Sequence, residues 1–151
     1  MASTAIILVF RPSAPERAFT LHAGDSRCYR WRDGSLTLLT RDHSGAELLG
    51  IRDGQFVPPG FRNLITRAVG SHPRITPERT AIDVQGGDLY LLCSDGLNRM
   101  LPDAQIADIL KTAQHLPLPQ RVDQLIQRAN TAGGHDNITI ILVSVTESQP
   151  S

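Results

Sequence analysis

The sequence predicts an α+β fold in which a sheet of mainly antiparallel strands stacks on a second sheet, with a pair of helices outside. Residues 4–10, 89–93 and 138–145 are almost wholly apolar, and such runs are typical of strands covered on both faces. Asp33 and Gly34 separate two strand-like segments, which predicts a tight hairpin. Beyond the second apolar run, apolar residues recur at the i, i+3, i+4, i+7 spacing of helices. Strands covered on both faces need a layer on each side, and the helix pair supplies one.

Turn residues separate the predicted elements. Strand-like segments lie at residues 4–10, 18–23, 27–31, 35–39, 63–69, 79–84, 88–93 and 138–145. We expect the N-terminal third to form an antiparallel meander. Two helices are predicted to begin at Pro102 and Pro119, because proline is well tolerated in the first helical turn. Gly133 and Gly134 are expected to end the second helix.

The pattern of strands breaks down over residues 45–62. Glycine and proline recur there, and we expect a surface excursion with one helical turn near residues 47–51. Long loops on compact domains often act as lids or recognition elements.

The composition indicates a single domain with no basic or membrane-binding surface. Among 151 residues, 15 basic side chains balance 15 acidic ones, which argues against nucleic-acid and membrane partners. The apolar run at residues 5–10 is far shorter than the ~20 residues that span a bilayer. We expect the domain to occupy residues 1–146 and the polar tail, residues 147–151, to be disordered.

The two cysteines, Cys28 and Cys93, lie in apolar strand-like stretches without metal-binding spacing. Buried cysteines of this kind usually act as small hydrophobic residues. We therefore expect free thiols in the reducing environment of the cytoplasm.

Three aspartates stand where predicted strands begin or end. Asp25 and Asp95 closely follow apolar segments, and Asp136 precedes the last one. Each alone is best explained as a turn residue that bonds its own backbone. Divalent hard cations, however, need several carboxylate oxygens, which acids remote in sequence can supply at one sheet edge. We therefore predict that Asp25, Asp95 and Asp136 converge on a metal ion.

Other polar residues give weaker indications. A hydrogen-bonded structural role is the better interpretation of His43, and a ligand role stays open. Ser26 and Ser94 have no histidine base beside them in sequence, so a serine nucleophile is unsupported. Arg62 and Arg67 could bind phosphate through two hydrogen bonds each, although a solvated surface arginine is the default.

Five motifs in order point to a family. They lie at residues 21–27, 39–44, 62–70, 87–97 and 133–139 and include Gly-Asp-Ser-Arg, Ser-Asp-Gly and Gly-His-Asp-Asn. In this order they resemble the C-terminal part of the bacterial-type, metal-dependent protein serine/threonine phosphatases of the PPM family. The resemblance implies part of a four-layer helix–sheet–sheet–helix sandwich.

The resemblance also implies roles for the three aspartates. Asp95 and Asp136 match the pair that binds one metal of the catalytic centre, and Asp25 matches the acid that holds a further, weaker metal with Asp95. The implied ions are Mn²⁺ or Mg²⁺, two or three in the complete site. No catalytic residue beyond the metal ligands is implied, and residues 45–62 correspond to a flap beside the active site.

The implied reaction is hydrolysis of phosphoserine and phosphothreonine in proteins, including targets of Ser/Thr kinases, in cytoplasmic signalling. The family places a metal-bridging acid in an N-terminal half that precedes the matching part. We therefore expect this chain alone to bind metal weakly and turn over slowly, and to dimerise through an uncovered sheet face. Two alternatives stay open: a non-catalytic phosphatase-like module that binds or regulates a partner, and a metal hydrolase acting on small phosphate esters.

Overall fold

The computed structural model describes residues 2–51, 55–61 and 64–146. A helix pair packs on a four-stranded sheet, which stacks on a three-stranded sheet, as the apolar pattern predicts. The strands are β1 Ala5–Phe10, β2 Arg17–Ala23, β3 Arg27–Arg32, β4 Ser35–Leu38, β5 Glu78–Asp83, β6 Leu89–Cys93 and β7 Ile140–Ser144. The helices are α1 Gly45–Leu48, α2 Asp95–Asn98, α3 Asp103–Thr112 and α4 Leu118–Thr131, with a 3₁₀ turn at Pro59–Phe61. No described helix is both long enough and apolar enough to cross a bilayer.

All strand pairs named here are antiparallel, in the orders β1-β2-β5 and β4-β3-β6-β7. The N-terminal third is therefore not a simple meander, because β2 and β3 belong to different sheets. The chain crosses between the sheets at residues 24–26, where Gly24 adopts a φ of 113°. A φ this large and positive is readily accessible only to glycine.

Strand β6 is the centre of the molecule, with all five of its residues buried. Leu89, Leu91 and Cys93 face the helices, whereas Tyr90 and Leu92 face the three-stranded sheet. The prediction of a strand covered on both faces is confirmed. Burying each leucine contributes about 1.5–3 kcal/mol, so this strand contributes strongly to folding.

Both cysteines are buried and free, as predicted. Burial raises the pKa of the Cys28 and Cys93 thiols to about 12. Because the thiolate is the reactive species, both side chains act as packing residues at neutral pH.

The predicted hairpin is present. Asp33 and Gly34 have φ angles of 50° and 77°, and they connect the register pair of Arg32 and Ser35. Positive φ at both central residues is the signature of a type I′ turn, which follows the natural twist of two strands.

Two local predictions need correction. Residues 64–69 form no strand and make only isolated bridges, Ser44 with Ile65 and Ser3 with Val69. The helical turn in the excursion begins earlier than predicted, because the Ser44 hydroxyl accepts the Glu47 N–H and so caps α1. Residues 52–54 and 62–63 of the excursion, and the predicted tail at 147–151, lie outside the described residues.

Candidate metal centre

The strand register brings the three predicted aspartates to one edge of the four-stranded sheet. Arg27 at the start of β3 lies opposite Cys93 at the end of β6, which lies opposite Ile140 at the start of β7. Asp25 therefore precedes one strand at this edge, Asp95 follows the next, and Asp136 precedes the third.

Asp25 is held by the crossing between the sheets. The ring Nδ1 of His43 accepts the Gly24 N–H at 3.1 Å, and the His43 N–H donates to the Gly24 carbonyl at 3.0 Å. A side chain at position 24 would collide with Thr4, so the close approach requires glycine. Asp25 is 8% exposed as a result.

Asp95 is the first residue of α2, and only Ser94 separates it from the end of β6. The Ser94 hydroxyl donates to the Asn137 carbonyl at 3.1 Å and accepts the Thr139 N–H at 3.0 Å. The Ser94 N–H donates to the Thr139 carbonyl at 3.1 Å. These bonds fasten the Asp95 turn to the loop that carries Asp136.

Asp136 is exposed, and its carboxylate accepts the N–H of Asn137 at 2.7 Å. This is the local turn bond that the sequence suggests for such aspartates. The neighbouring Asn137 carbonyl lies so close to Gly96 that a Cβ there would collide with it. The structure therefore places Asp136 on a loop packed against the start of α2.

Arg99 connects two of the three aspartates. Its Nη2 lies 2.9 Å from Asp95 Oδ2 and 3.4 Å from Asp25 Oδ2. Burial and the negative charge of Asp95 raise the pKa of Asp25, and Arg99 partly opposes this shift. Arg99 is not among the site residues predicted from the sequence, although a position four residues after Asp95 on a helix is a pattern that pairs charges.

A cavity of about 250 Å³ opens on this cluster, and its lining includes Asp25, Arg27, Asp42, Asp95 and Arg99. The Arg27 guanidinium forks onto Asp42, with Nε and Nη2 donating at 2.9 and 2.8 Å. A larger cavity of about 570 Å³ shares Arg27 and Asp42. The two cavities are therefore neighbours, and the Arg27–Asp42 ion pair forms part of the lining of both.

A second cluster lies at the sheet crossing. Among the described residues, the only group of three or more His, Cys, Asp or Glu with ligand atoms mutually within 4.8 Å is His22, His43 and Glu78. The two rings are stacked with centroids 4.5 Å apart. His22 Nε2–H donates to the Arg41 carbonyl at 2.8 Å, which leaves its buried Nδ1 without a partner among the described residues.

The hydrogen bonds of His43 define its tautomer. Because Nδ1 accepts the Gly24 N–H, a neutral ring carries its proton on Nε2, which lies 3.1 Å from Glu78 Oε2. A metal ion bound at Nε2 would shift the proton of the neutral ring to Nδ1. Protonated Nδ1 could no longer accept the Gly24 N–H, so this hydrogen bond would be lost. This arrangement supports the structural interpretation of His43, as a residue that positions the peptide before Asp25.

The chain is similar to bacterial serine/threonine phosphatases. It is 37% identical over 136 residues to the protein phosphatase PhpP of Streptococcus pneumoniae, covering 87% of this chain and 54% of PhpP. PppA, described as a key regulatory component of T6SS in Pseudomonas aeruginosa, has 37% identity and a TM-score of 0.81, covering 95% of this chain and 57% of PppA. The PstP catalytic domain, solved with two manganese ions, has 33% identity and a TM-score of 0.79, covering 97% of this chain and 60% of PstP.

No model of a protein family matches the sequence. The chain spans about half the length of the curated relatives PhpP and Stp. Over that span, however, sequence identity and fold agree with the resemblance drawn from the motifs. The chain therefore matches a part of the bacterial PPM-type serine/threonine phosphatases in sequence and in fold.

Proposed function

We propose that this chain carries part of a divalent-metal centre for the hydrolysis of phosphoserine and phosphothreonine in proteins. The observation that carries the proposal is the Asp25–Asp95 pair in the lining of one cavity, with Asp136 on the adjoining loop. Burial and the negative charge of Asp95 both raise the pKa of Asp25, and a cation between the two carboxylates would offset both effects.

The donor set fits Mn²⁺ or Mg²⁺. Aspartate oxygens are the hard ligands that these ions prefer, and a turn that is open to solvent leaves room for coordinated water. Asp25, Asp95 and Asp136 are the residues proposed to hold metal. When bound, divalent ions lower the pKa of a coordinated water and offset charge on a phosphoryl group.

The residues around the centre have roles of their own. The Arg27–Asp42 fork keeps a guanidinium fixed between the two cavities, so it shapes the wall against which a substrate would lie. The hydrogen bonds of Ser94 with Asn137 and Thr139 connect the turn that carries Asp95 to the loop that carries Asp136. A site built on strand ends and short caps keeps its geometry before any ion arrives.

The relatives support the reaction class. PhpP is a protein phosphatase, and PstP was solved with two manganese ions. By this proposal the substrates are phosphorylated proteins, including targets of Ser/Thr kinases in cytoplasmic signalling. Dimerisation through the outer face of the three-stranded sheet belongs to the same proposal, because Ile7 on that sheet is 51% exposed.

A non-catalytic module is the second candidate. The observation in its favour is Arg99, a side chain of the protein itself that supplies a positive charge to Asp25 and Asp95. In that case the cavities would bind a phosphorylated partner and release it unchanged.

The test combines binding and turnover. Mn²⁺ binding is measured by calorimetry, and Mn²⁺-dependent phosphate release is measured on a phosphothreonine peptide and on an aryl phosphate. We expect Asp95→Asn and Asp136→Asn to abolish both, and the exposed Asp123→Asn on α4 to change neither. Binding without turnover supports the non-catalytic module, and preference for the aryl phosphate supports a small-ester hydrolase. Unchanged binding in both site variants contradicts the metal assignment.

A further inference from the structure

The guanidinium of Arg99 occupies the space between two proposed metal ligands. Its Nη2 contacts Asp95 Oδ2 at 2.9 Å and Asp25 Oδ2 at 3.4 Å, so one nitrogen faces an oxygen of each carboxylate. The side chains of Asp25 and Asp95 are 11% and 22% exposed, which reduces the screening of their charges by water.

Arg99 reaches this position because of where α2 begins. The Arg99 N–H donates to the Asp95 carbonyl at 2.9 Å, which closes one helical turn and places the arginine above the aspartate. Side chains four residues apart on a helix lie on the same face. The contact between the Arg99 and Asp95 side chains therefore follows from the helical turn at α2.

The other nearby cation is already paired. Arg27 lines the same cavity, but its guanidinium is forked onto Asp42. Among the described cations that line this cavity, Arg99 is therefore the one that balances Asp25 and Asp95. The pair carries two negative charges against one positive charge, so attraction for a cation remains but is reduced.

We propose that Arg99 is a built-in counter-ion of the Asp25–Asp95 pair, which a divalent cation must displace in order to bind there. The inference rests on the proposed function, since it concerns an ion at the same carboxylates. Arg99 then sets how weakly the pair binds metal, and its charge offsets the repulsion between the two carboxylates. The 42% exposure of the Arg99 side chain leaves it free to swing into solvent when an ion arrives.

The test removes the charge at position 99. We expect Arg99→Gln to bind Mn²⁺ roughly tenfold more tightly than the unaltered protein, and Arg99→Lys to bind like the unaltered protein, because the charge is what competes. Lys111→Gln on α3 also removes one positive charge, and we expect no change in affinity. Calorimetry gives the affinity, and thermal melting without metal checks that each variant folds. In that melt, Arg99→Gln should be less stable than Lys111→Gln.

A measurement on the unaltered protein avoids any folding defect. The side-chain nitrogen resonances of Arg99 are followed by NMR during titration with diamagnetic Mg²⁺. We expect them to shift and to saturate with the same midpoint as the Asp25 and Asp95 signals. Arg99 signals that stay still while the carboxylates respond overturn the inference.

The outcomes separate the two claims. If Arg99→Gln binds Mn²⁺ equally or more weakly, while Asp95→Asn still abolishes binding, the counter-ion role is overturned and the proposed metal centre stands. If neither the unaltered protein nor Arg99→Gln binds Mn²⁺, both claims are overturned.

Discussion

His43 and Gly24 are joined by two hydrogen bonds that run in opposite directions, one through the histidine ring and one between backbones. A single buried histidine therefore fixes the peptide immediately before Asp25. His43 also stacks on His22 and contacts Glu78, so the support reaches across the three-stranded sheet.

Removing the ring of His43 should loosen this support. We expect His43→Ala to lower the free energy of unfolding by about 2 kcal/mol or more, because it opens a cavity and leaves the buried Gly24 N–H without a partner. Urea unfolding followed by circular dichroism measures the change. The exposed His115→Ala is the control and should stay within about 0.5 kcal/mol. A loss that small at His43 would show that the ring and its hydrogen bond to Gly24 contribute little.

Gly96 is predicted to tolerate no side chain. A Cβ there would meet the backbone carbonyl of Asn137, so Gly96→Ala should push away the loop that carries Asp136. We expect a loss of about 1–3 kcal/mol in unfolding free energy, together with weaker Mn²⁺ binding. Gly60→Ala is the matched control, because a Cβ at Gly60 meets nothing within 4 Å. Equal unfolding free energies and equal Mn²⁺ affinities of the two variants would mean that the loop at Asn137 moves aside without loss of stability.

The stability of the far end of the sheet should depend on pH through Asp88. Arg32 donates to this fully buried carboxylate from Nε at 2.6 Å and from Nη2 at 2.7 Å. Burial alone would raise the pKa of Asp88, but hydrogen bonds from Arg32, the Gln85 N–H and Tyr90 lower it below its usual 3.8. An acid with a lowered pKa stabilises the fold above its unfolded pKa, and that contribution is lost as pH falls through the folded pKa.

Asp88→Asn should therefore destabilise the protein by about 3 kcal/mol at neutral pH, because it leaves Arg32 without its buried partner. The difference from the unaltered protein should shrink as the pH falls below the ordinary aspartate pKa of 3.8, because the native carboxylate is then progressively protonated. Urea unfolding at a series of pH values measures both. The exposed Asp33→Asn serves as control and should show no such trend. A difference that is constant with pH would rule out the ion pair as its cause.

The exposed face of the three-stranded sheet should govern self-association. Ile7 lies opposite Leu21 in the register of β1 and β2 and is 51% exposed. If this face joins two copies, Ile7→Lys should convert a dimer to a monomer in analytical ultracentrifugation. Ile141→Lys alters an isoleucine on β7 that is 54% exposed and should leave the dimer intact. A monomer at all concentrations in the unaltered protein would contradict the dimer proposal.

Local patterns predict the parts of the fold that depend on local physics. The unbroken apolar run of β6 corresponds to burial on both faces, and the Asp33–Gly34 pair corresponds to a hairpin with two positive φ angles. Proline near the start of each long helix also agrees with the structure, since α3 begins after Pro102 and Pro119 lies in the first turn of α4.

Long-range pairing is what the sequence does not reveal. The pattern at residues 17–32 suits two neighbouring strands, yet β2 and β3 lie in different sheets because the chain turns at Gly24. Residues 64–69 have strand-like composition but find no continuous partner. Strand propensity describes a fit to a half-buried surface and does not create that surface.

The residues of the candidate site also differ in whether local sequence predicts them. Asp25, Asp95 and Asp136 could be proposed from their positions at strand ends and from the family resemblance. Arg99 could not be assigned to Asp25, because 74 residues separate them in sequence. Only the strand register places them side by side.

The central claim is that Asp25, Asp95 and Asp136 together attract divalent ions at one edge of the stacked sheets. The most direct measurement is a crystal structure grown with Mn²⁺ and examined by anomalous scattering. We expect an anomalous peak within coordination distance of oxygens of Asp95 and at least one of the other two aspartates. No peak there, or a peak confined to His22, His43 and Glu78, would contradict it.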